Sequence, residues 1–143
     1  MRWLHIGLTG LLALFMVFMG VQKFGEANPV FQYIAEQSGI GLFEPVIRIA
    51  TGVAEVLAAA LLVAGLFIGA VRSCGGMLSS AIIGGALVFH LSPWLGISAP
   101  VAFDAEGQYV HSPMLFIMAV VFFGVALVVT WLARKTAPVS PSA

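Results

Sequence analysis

The sequence predicts an all-α integral membrane protein: a four-helix bundle with both termini on the cytoplasmic side. Three observations lead to this fold class. Hydrophobic residues fill 61% of the 143 positions, only 8% of the residues are charged, and the apolar residues form four long runs. Soluble domains are roughly 45–50% apolar and about 25% charged. Since a chain of about 150 residues buries only roughly 70% of its unfolded surface, this much apolar surface requires lipid as its solvent.

Each apolar run is close to the roughly 20 residues that a helix needs to cross a bilayer. Helices are required because lipid offers no hydrogen-bond partners to backbone groups. The first run exceeds the 7–15 apolar residues of a signal peptide, so we expect it to be a span. The prediction is one transmembrane domain at 1–135, with spans at 3–21, 45–71, 74–91 and 114–133, and a disordered cytoplasmic tail at 136–143.

Basic residues lie mainly on one side of the predicted membrane. That side holds four of the six basic residues and none of the six acids. Short loops that are rich in lysine and arginine stay in the cytoplasm, so both termini are predicted inside. The four residues are Arg2, Arg72, Arg134 and Lys135.

Composition also excludes several function classes. The net charge of zero argues against a nucleic-acid partner. The single cysteine, Cys74, cannot form an internal disulfide or a redox pair. No nucleophile-elbow, phosphate-loop or zinc-protease motif occurs, and no ligand spacing predicts a metal. The sequence therefore leans against independent catalytic activity.

The connection after the first span carries helix signals. Asn28 is a favourable N-cap, and Pro29 follows at the first helical position. Gly39 and Gly41 are expected to end the helix. We predict a short amphipathic helix in the outer membrane interface; the alternative is an ordinary apolar loop.

The third span is rich in small residues. Gly76, Ser80 and Gly84 recur at four-residue spacing, which lets helix backbones approach closely. We favour packing at the centre of the bundle, and the alternative is a homodimer interface.

Polar residues form one stripe on the second span: Glu44, Arg48, Thr51 and Glu55. Glu55 lies about 16 Å below Glu44 at 1.5 Å per residue, near the bilayer midplane. A carboxyl at that depth must face the bundle, be protonated or be paired, and a pair with Lys23 is within reach. Because the first and third spans end on the same side, we predict one ligand-binding cavity. Its polar residues are Lys23, Arg48, Glu55 and His90, with an apolar wall from Phe15, Met19 or Phe89. The alternative is that Glu55 only fixes helix register.

Short motifs resemble the DoxX-like family of small four-helix bacterial membrane proteins. Gly20-Val21-Gln22-Lys23 is similar to the family's glycine-x-x-lysine, and Gly52-Val53-Ala54-Glu55 to its glycine-x-x-glutamate. Arg72 and His90 also fit the pattern. The resemblance implies four helices in the bacterial inner membrane. Some relatives are subunits of quinone-linked sulfur oxidation, and others are tied to oxidative-stress complexes or assembly.

Three functions follow as expectations. The first is a quinone-binding or redox-associated membrane subunit, because a quinone needs an apolar slot and one or two hydrogen-bonding groups. The second is a non-catalytic assembly or scaffold protein that contacts other membrane redox or assembly subunits. The third is a small-molecule or proton carrier, which with only four helices would require a dimer.

Overall fold

The structure, a computed structural model, describes residues 2–135 of the chain. It is 73% helical, and four of the five α-helices are long and apolar enough to cross a membrane. The tail predicted at 136–143 lies outside the described residues. The elements are α1 (Arg2–Val21), α2 (Pro29–Ser38), α3 (Val46–Gly65), α4 (Cys74–His90), β1 (Ala99–Phe103), β2 (Tyr109–Ser112) and α5 (Met114–Lys135).

The four long helices pack side by side around an apolar core. α3 lies between α1 and α4, and α5 packs against both α4 and α1. The core residues are apolar and fully or nearly fully buried: Leu12, Met16, Ala58, Leu62, Ile83, Ala126 and Val129. Large apolar side chains cover the outside of the same helices, as lipid-facing surfaces require.

α3 ends at Gly65, six residues before the predicted end of the second span at Val71. The chain turns after Gly65 and forms a 3-10 turn at Gly69–Val71 before α4 begins. A Cβ on Gly65 would lie 3.0 Å from the Cα of Arg72, so glycine lets the returning chain approach closely. Hydropathy did not reveal this end because the turn residues are as apolar as the helix.

The glycines at the start of α4 serve packing within the chain. A Cβ on Gly75 would meet the backbone of Leu62 on α3, and a Cβ on Gly76 would meet Thr130 on α5. Only glycine, which has no Cβ, can approach its neighbours this closely. α4 therefore uses its first small residues to fit between α3 and α5, the arrangement that small-residue spacing favours.

The all-α expectation misses a two-stranded antiparallel hairpin between α4 and α5. β1 and β2 are joined by a turn in which the Asp104 carboxylate accepts hydrogen bonds from the amides of Glu106 and Gln108, at 3.0 and 2.7 Å. Gly107 completes the turn in a left-handed conformation, with φ of 78°. Asp and Gly supply the turn chemistry that joins the strands.

The helix predicted after the first span is present as α2. The Asn28 side chain accepts hydrogen bonds from the amides of Val30 and Phe31, Pro29 occupies the first turn, and Gly39 ends the helix with φ of 71°. These are the capping interactions that the sequence predicts.

α2 and the hairpin together cover one end of the long helices. We call this assembly the end cap; it comprises α2, the 3-10 turn Gly41–Phe43, the loop after α4 and the hairpin. It is held by its own buried apolar cluster: Ile34, Phe43, Leu95 and Ala99. The opposite end, formed by the start of α1, the α3–α4 turn and the end of α5, carries Arg2, Arg72, Arg134 and Lys135; we call it the basic end.

Aromatic contacts join α2 to the hairpin. Tyr33 meets Tyr109 edge-on at 5.2 Å between ring centroids and His111 at 5.4 Å. Burial, and then the neighbouring carboxylate of Glu36, raise the pKa of Tyr109 to about 12. The phenol therefore stays neutral, and its ring acts as packing between the two parts of the end cap.

Candidate functional site

A cavity of about 510 Å³ lies among the long helices beneath the end cap. Its wall is mainly apolar and includes all three predicted wall residues, Phe15, Met19 and Phe89. Phe15 is itself stacked on Phe122 of α5, with 3.7 Å between ring centroids. The polar residues that line the cavity are Gln22, Lys23, Asn28, Thr51, Glu55 and His90.

Lys23 and Glu55 form an ion pair at this cavity. The Lys23 ammonium lies 2.9 Å from Oε1 and 2.8 Å from Oε2 of Glu55, and it also donates to the Met19 carbonyl at 3.1 Å. Both residues are 6% exposed. Pairing offsets part of the cost of placing a carboxylate among apolar helices, because each charge has a counter-ion. Oε2 accepts no well-directed hydrogen bond from the described residues, so this oxygen keeps acceptor capacity.

Two glycines bring this pair together. A Cβ on Gly20 would lie 3.2 Å from the Cβ of Glu55, and a Cβ on Gly52 would lie 3.0 Å from the Cβ of Lys23. The same Cβ atoms would lie 3.2 and 3.1 Å from the carbonyl oxygen of the other glycine. Each glycine precedes its own charged residue by three positions, so the two segments pack reciprocally. The close helix crossing is thus a condition for the ion pair.

Gly52→Ala should lower the free energy of unfolding by about 1–3 kcal/mol, because the added methyl overlaps Lys23 and the backbone of α1. The matched control is Gly10→Ala, since a Cβ on Gly10 meets nothing within 4 Å. Denaturation in detergent micelles measures both. Equal stability of the two variants would mean that the close crossing at Gly52 is unimportant.

Arg48 does not line the cavity, which corrects its predicted place beside the other polar residues. It is 3% exposed, and at 1.5 Å per residue it lies about 10 Å from Glu55 along the axis of α3. Its Nε donates to Glu44 at 2.7 Å, the ion pair that their spacing predicts. The stripe on α3 therefore divides between two environments, and only its Thr51 and Glu55 part faces the cavity.

The guanidinium of Arg48 instead binds backbone carbonyls after α1. Nη1 donates to the carbonyls of Lys23 and Gly25, the latter at 2.6 Å, and Nη2 lies 3.5 Å from that of Glu26. The end of a helix leaves carbonyls without intrahelical partners, and a guanidinium fork satisfies several at once. Arg48 is thus a positioning residue that fixes the turn carrying Lys23.

His90 closes the cavity at the end of α4. Its Nδ1 lies 2.9 Å from the carbonyl oxygen of Gly96, and because a carbonyl only accepts, Nδ1 must carry the proton. Nε2 forms no hydrogen bond within residues 2–135, and in the tautomer with the proton on Nδ1 it is an acceptor. Phe116 holds the ring edge-on at 5.7 Å.

Phe31 is a site residue that the sequence interpretation missed. It lines the cavity from α2, and its ring centroid lies 5.9 Å from the Lys23 ammonium, within cation–π range. The sequence predicts the helix that carries Phe31, but it does not show which residues of that helix lie beside the ion pair.

The site therefore combines a mainly apolar cavity with one ammonium donor and two acceptors, on Glu55 and His90. It can bind a largely apolar molecule that carries oxygen groups, and it can hold a proton at the carboxylate or the imidazole. In comparisons with protein-family models, curated proteins and solved structures, no match to this chain was found.

Proposed function

We propose that the chain is a DoxX-like protein of the bacterial inner membrane, a four-helix bundle with its basic end in the cytoplasm. The four apolar helices support a multi-pass membrane protein. The orientation rests on the basic end, which carries four cations and no acidic side chain within residues 2–135. The family proposal draws support from the reciprocal glycines, which give its two short motifs a joint structural purpose.

The function that the geometry supports best is binding of a quinone, as a subunit associated with membrane redox proteins. The observation that carries this proposal is the buried Lys23–Glu55 pair, which borders a mainly apolar cavity. The cavity volume of about 510 Å³ falls in the roughly 300–1,000 Å³ range of small-molecule sites. Such sites combine apolar walls with a few placed polar groups.

Each polar group has a separate task in this proposal. The Lys23 ammonium donates to a quinone carbonyl, while Nε2 of His90 accepts from the hydroxyl of the reduced quinol. Glu55 holds the ammonium in place and is a site for a proton. Electrons come from a partner subunit, so the chain supplies binding and proton handling.

Filling the cavity tests this function. Gly85 lines the cavity on α4, and a Cβ there meets nothing within 4 Å, so Gly85→Leu inserts a side chain without a backbone clash. We expect quinone retained by the purified protein, measured after solvent extraction, to fall at least ten-fold, or about 1.4 kcal/mol. The control is Gly124→Leu on α5, where a Cβ is equally unhindered and the residue does not line this cavity. Retention of wild-type quinone by a folded Gly85→Leu protein would contradict the proposal.

A second candidate is an assembly or scaffold protein. The observation in its favour is that the charges of Lys23 and Arg48 are engaged by groups of the chain itself. Under this function the ion pair only fixes the crossing of α1 and α3. A protein in which Lys23 and Glu55 are both replaced with apolar residues would then still support the assembly of its partner complexes.

A further inference from the structure

A second cavity, of about 550 Å³, lies at the basic end. It lies between the start of α1 and the turn that joins α3 to α4, at the other end of the helices from the end cap. Two of its seven lining residues are arginines and one is a histidine, and the remaining residues are apolar or glycine. The lining is Arg2, His5, Ile6, Gly65, Leu66, Phe67 and Arg72.

The charge of this cavity favours an anion. Two guanidinium groups line it, and no acidic side chain does. Arg134 and Lys135, at the end of α5, add positive charge to the same end of the molecule. Guanidinium groups match the oxygens of a phosphate through paired hydrogen bonds, and they do so better than any other side chain. The shared chemistry of a suitable ligand is therefore a phosphate group.

The surroundings of the cavity distinguish a lipid phosphate from a soluble one. Phe67, in the lining, and Trp3, one residue from Arg2, are each 81% exposed. Tryptophan rings at the ends of apolar helices, such as that of Trp3, lie where headgroups meet hydrocarbon. Basic pockets between membrane helices on the cytoplasmic side bind anionic headgroups. We propose that this cavity binds the phosphate of an anionic phospholipid, whose acyl chains lie against the apolar surface of α1.

Titration with defined lipids in neutral detergent, followed by native mass spectrometry, tests this site. Phosphatidylglycerol should bind at least ten-fold more tightly than phosphatidylcholine. Arg2→Gln should weaken phosphatidylglycerol binding roughly five-fold, the effect of about one cation at a lipid surface. Arg2 is exposed, so its replacement leaves the packing intact. Arg72→Gln should have a similar effect where the variant folds.

The matched control is Arg134→Gln, an exposed arginine at the same end that does not line the cavity. It should change phosphatidylglycerol binding less than two-fold. An equal loss of phosphatidylglycerol binding in Arg134→Gln and Arg2→Gln would show that the lipid is held by general attraction to the basic surface and would contradict a site in this cavity. Displacement of phosphatidylglycerol by equimolar glycerol phosphate would overturn the lipid assignment and leave a site for soluble phosphates. Equal binding of the two lipids would overturn the site altogether.

Discussion

Lys23→Met should lower the free energy of unfolding by about 3–5 kcal/mol, because it leaves the Glu55 carboxylate buried without its cation. Removing both charges, with Glu55→Leu added, should restore most of that loss, since an apolar pair of similar volume replaces a buried ion pair at little cost. Unfolding of each single variant and of the double variant in detergent gives the coupling free energy of the pair. A loss below about 1 kcal/mol in Lys23→Met would contradict a buried, charged pair.

The same double variant separates the two candidate functions. If the ion pair exists to bind quinone, the double variant should be stable and should bind no quinone. If the pair only fixes the crossing of α1 and α3, the stable double variant should support its partner complexes as well as wild type. Wild-type quinone binding by the double variant would contradict the role assigned to Lys23 and Glu55.

Arg48→Met should lower the free energy of unfolding by about 2–5 kcal/mol. The substitution removes charged hydrogen bonds to carbonyls after α1 and leaves these acceptors unsatisfied. Arg48→Lys should recover little of this loss, since one ammonium cannot reproduce the fork of the guanidinium. Thermal unfolding in detergent measures both variants.

Glu44→Gln is the control for Arg48. The Glu44 side chain is 21% exposed and pairs with Arg48 within one helix, so its loss should cost under about 1 kcal/mol. Wild-type stability in Arg48→Lys would show that charge alone matters and that the carbonyl contacts of Arg48 contribute nothing. A large loss of stability in Glu44→Gln with a small loss in Arg48→Met would contradict the positioning role assigned to Arg48.

Span positions were the most predictable feature of the sequence. α1, α4 and α5 begin and end within two residues of the predicted spans, because length and hydropathy are dictated by the bilayer. The end of α3 at Gly65 was not predicted because the residues of the turn that follows are as apolar as those of the helix. The hairpin was not predicted because its strands are only five and four residues long. Asp104 and Gly107 between two apolar runs were the signal that marked its turn.

The positions of the site residues along the helix axes were predictable from the sequence, but the surroundings that each side chain faces were not. Helical spacing placed Glu55 well below Arg48, and topology brought Lys23 and His90 to the same end. Spacing cannot show which part of the polar stripe on α3 faces the cavity and which part faces the turn after α1. The carbonyls that bind Arg48 belong to the backbone, and no residue type marks them in the sequence. Phe31 was hidden for the same reason, since the position of α2 over the ion pair depends on tertiary packing.

Quenching of Trp94 fluorescence by an added quinone tests the central claim most directly. The Trp94 ring lies 6.3 Å from that of Phe89, which lines the cavity, whereas Trp3 and Trp131 lie toward the basic end. A protein that keeps only Trp94, through Trp3→Phe and Trp131→Phe, should show saturable quenching at one quinone per chain. A protein that keeps only Trp3 should show a weak linear response from quinone dissolved in the detergent. Linear and equal quenching of the two proteins would contradict quinone binding in this cavity.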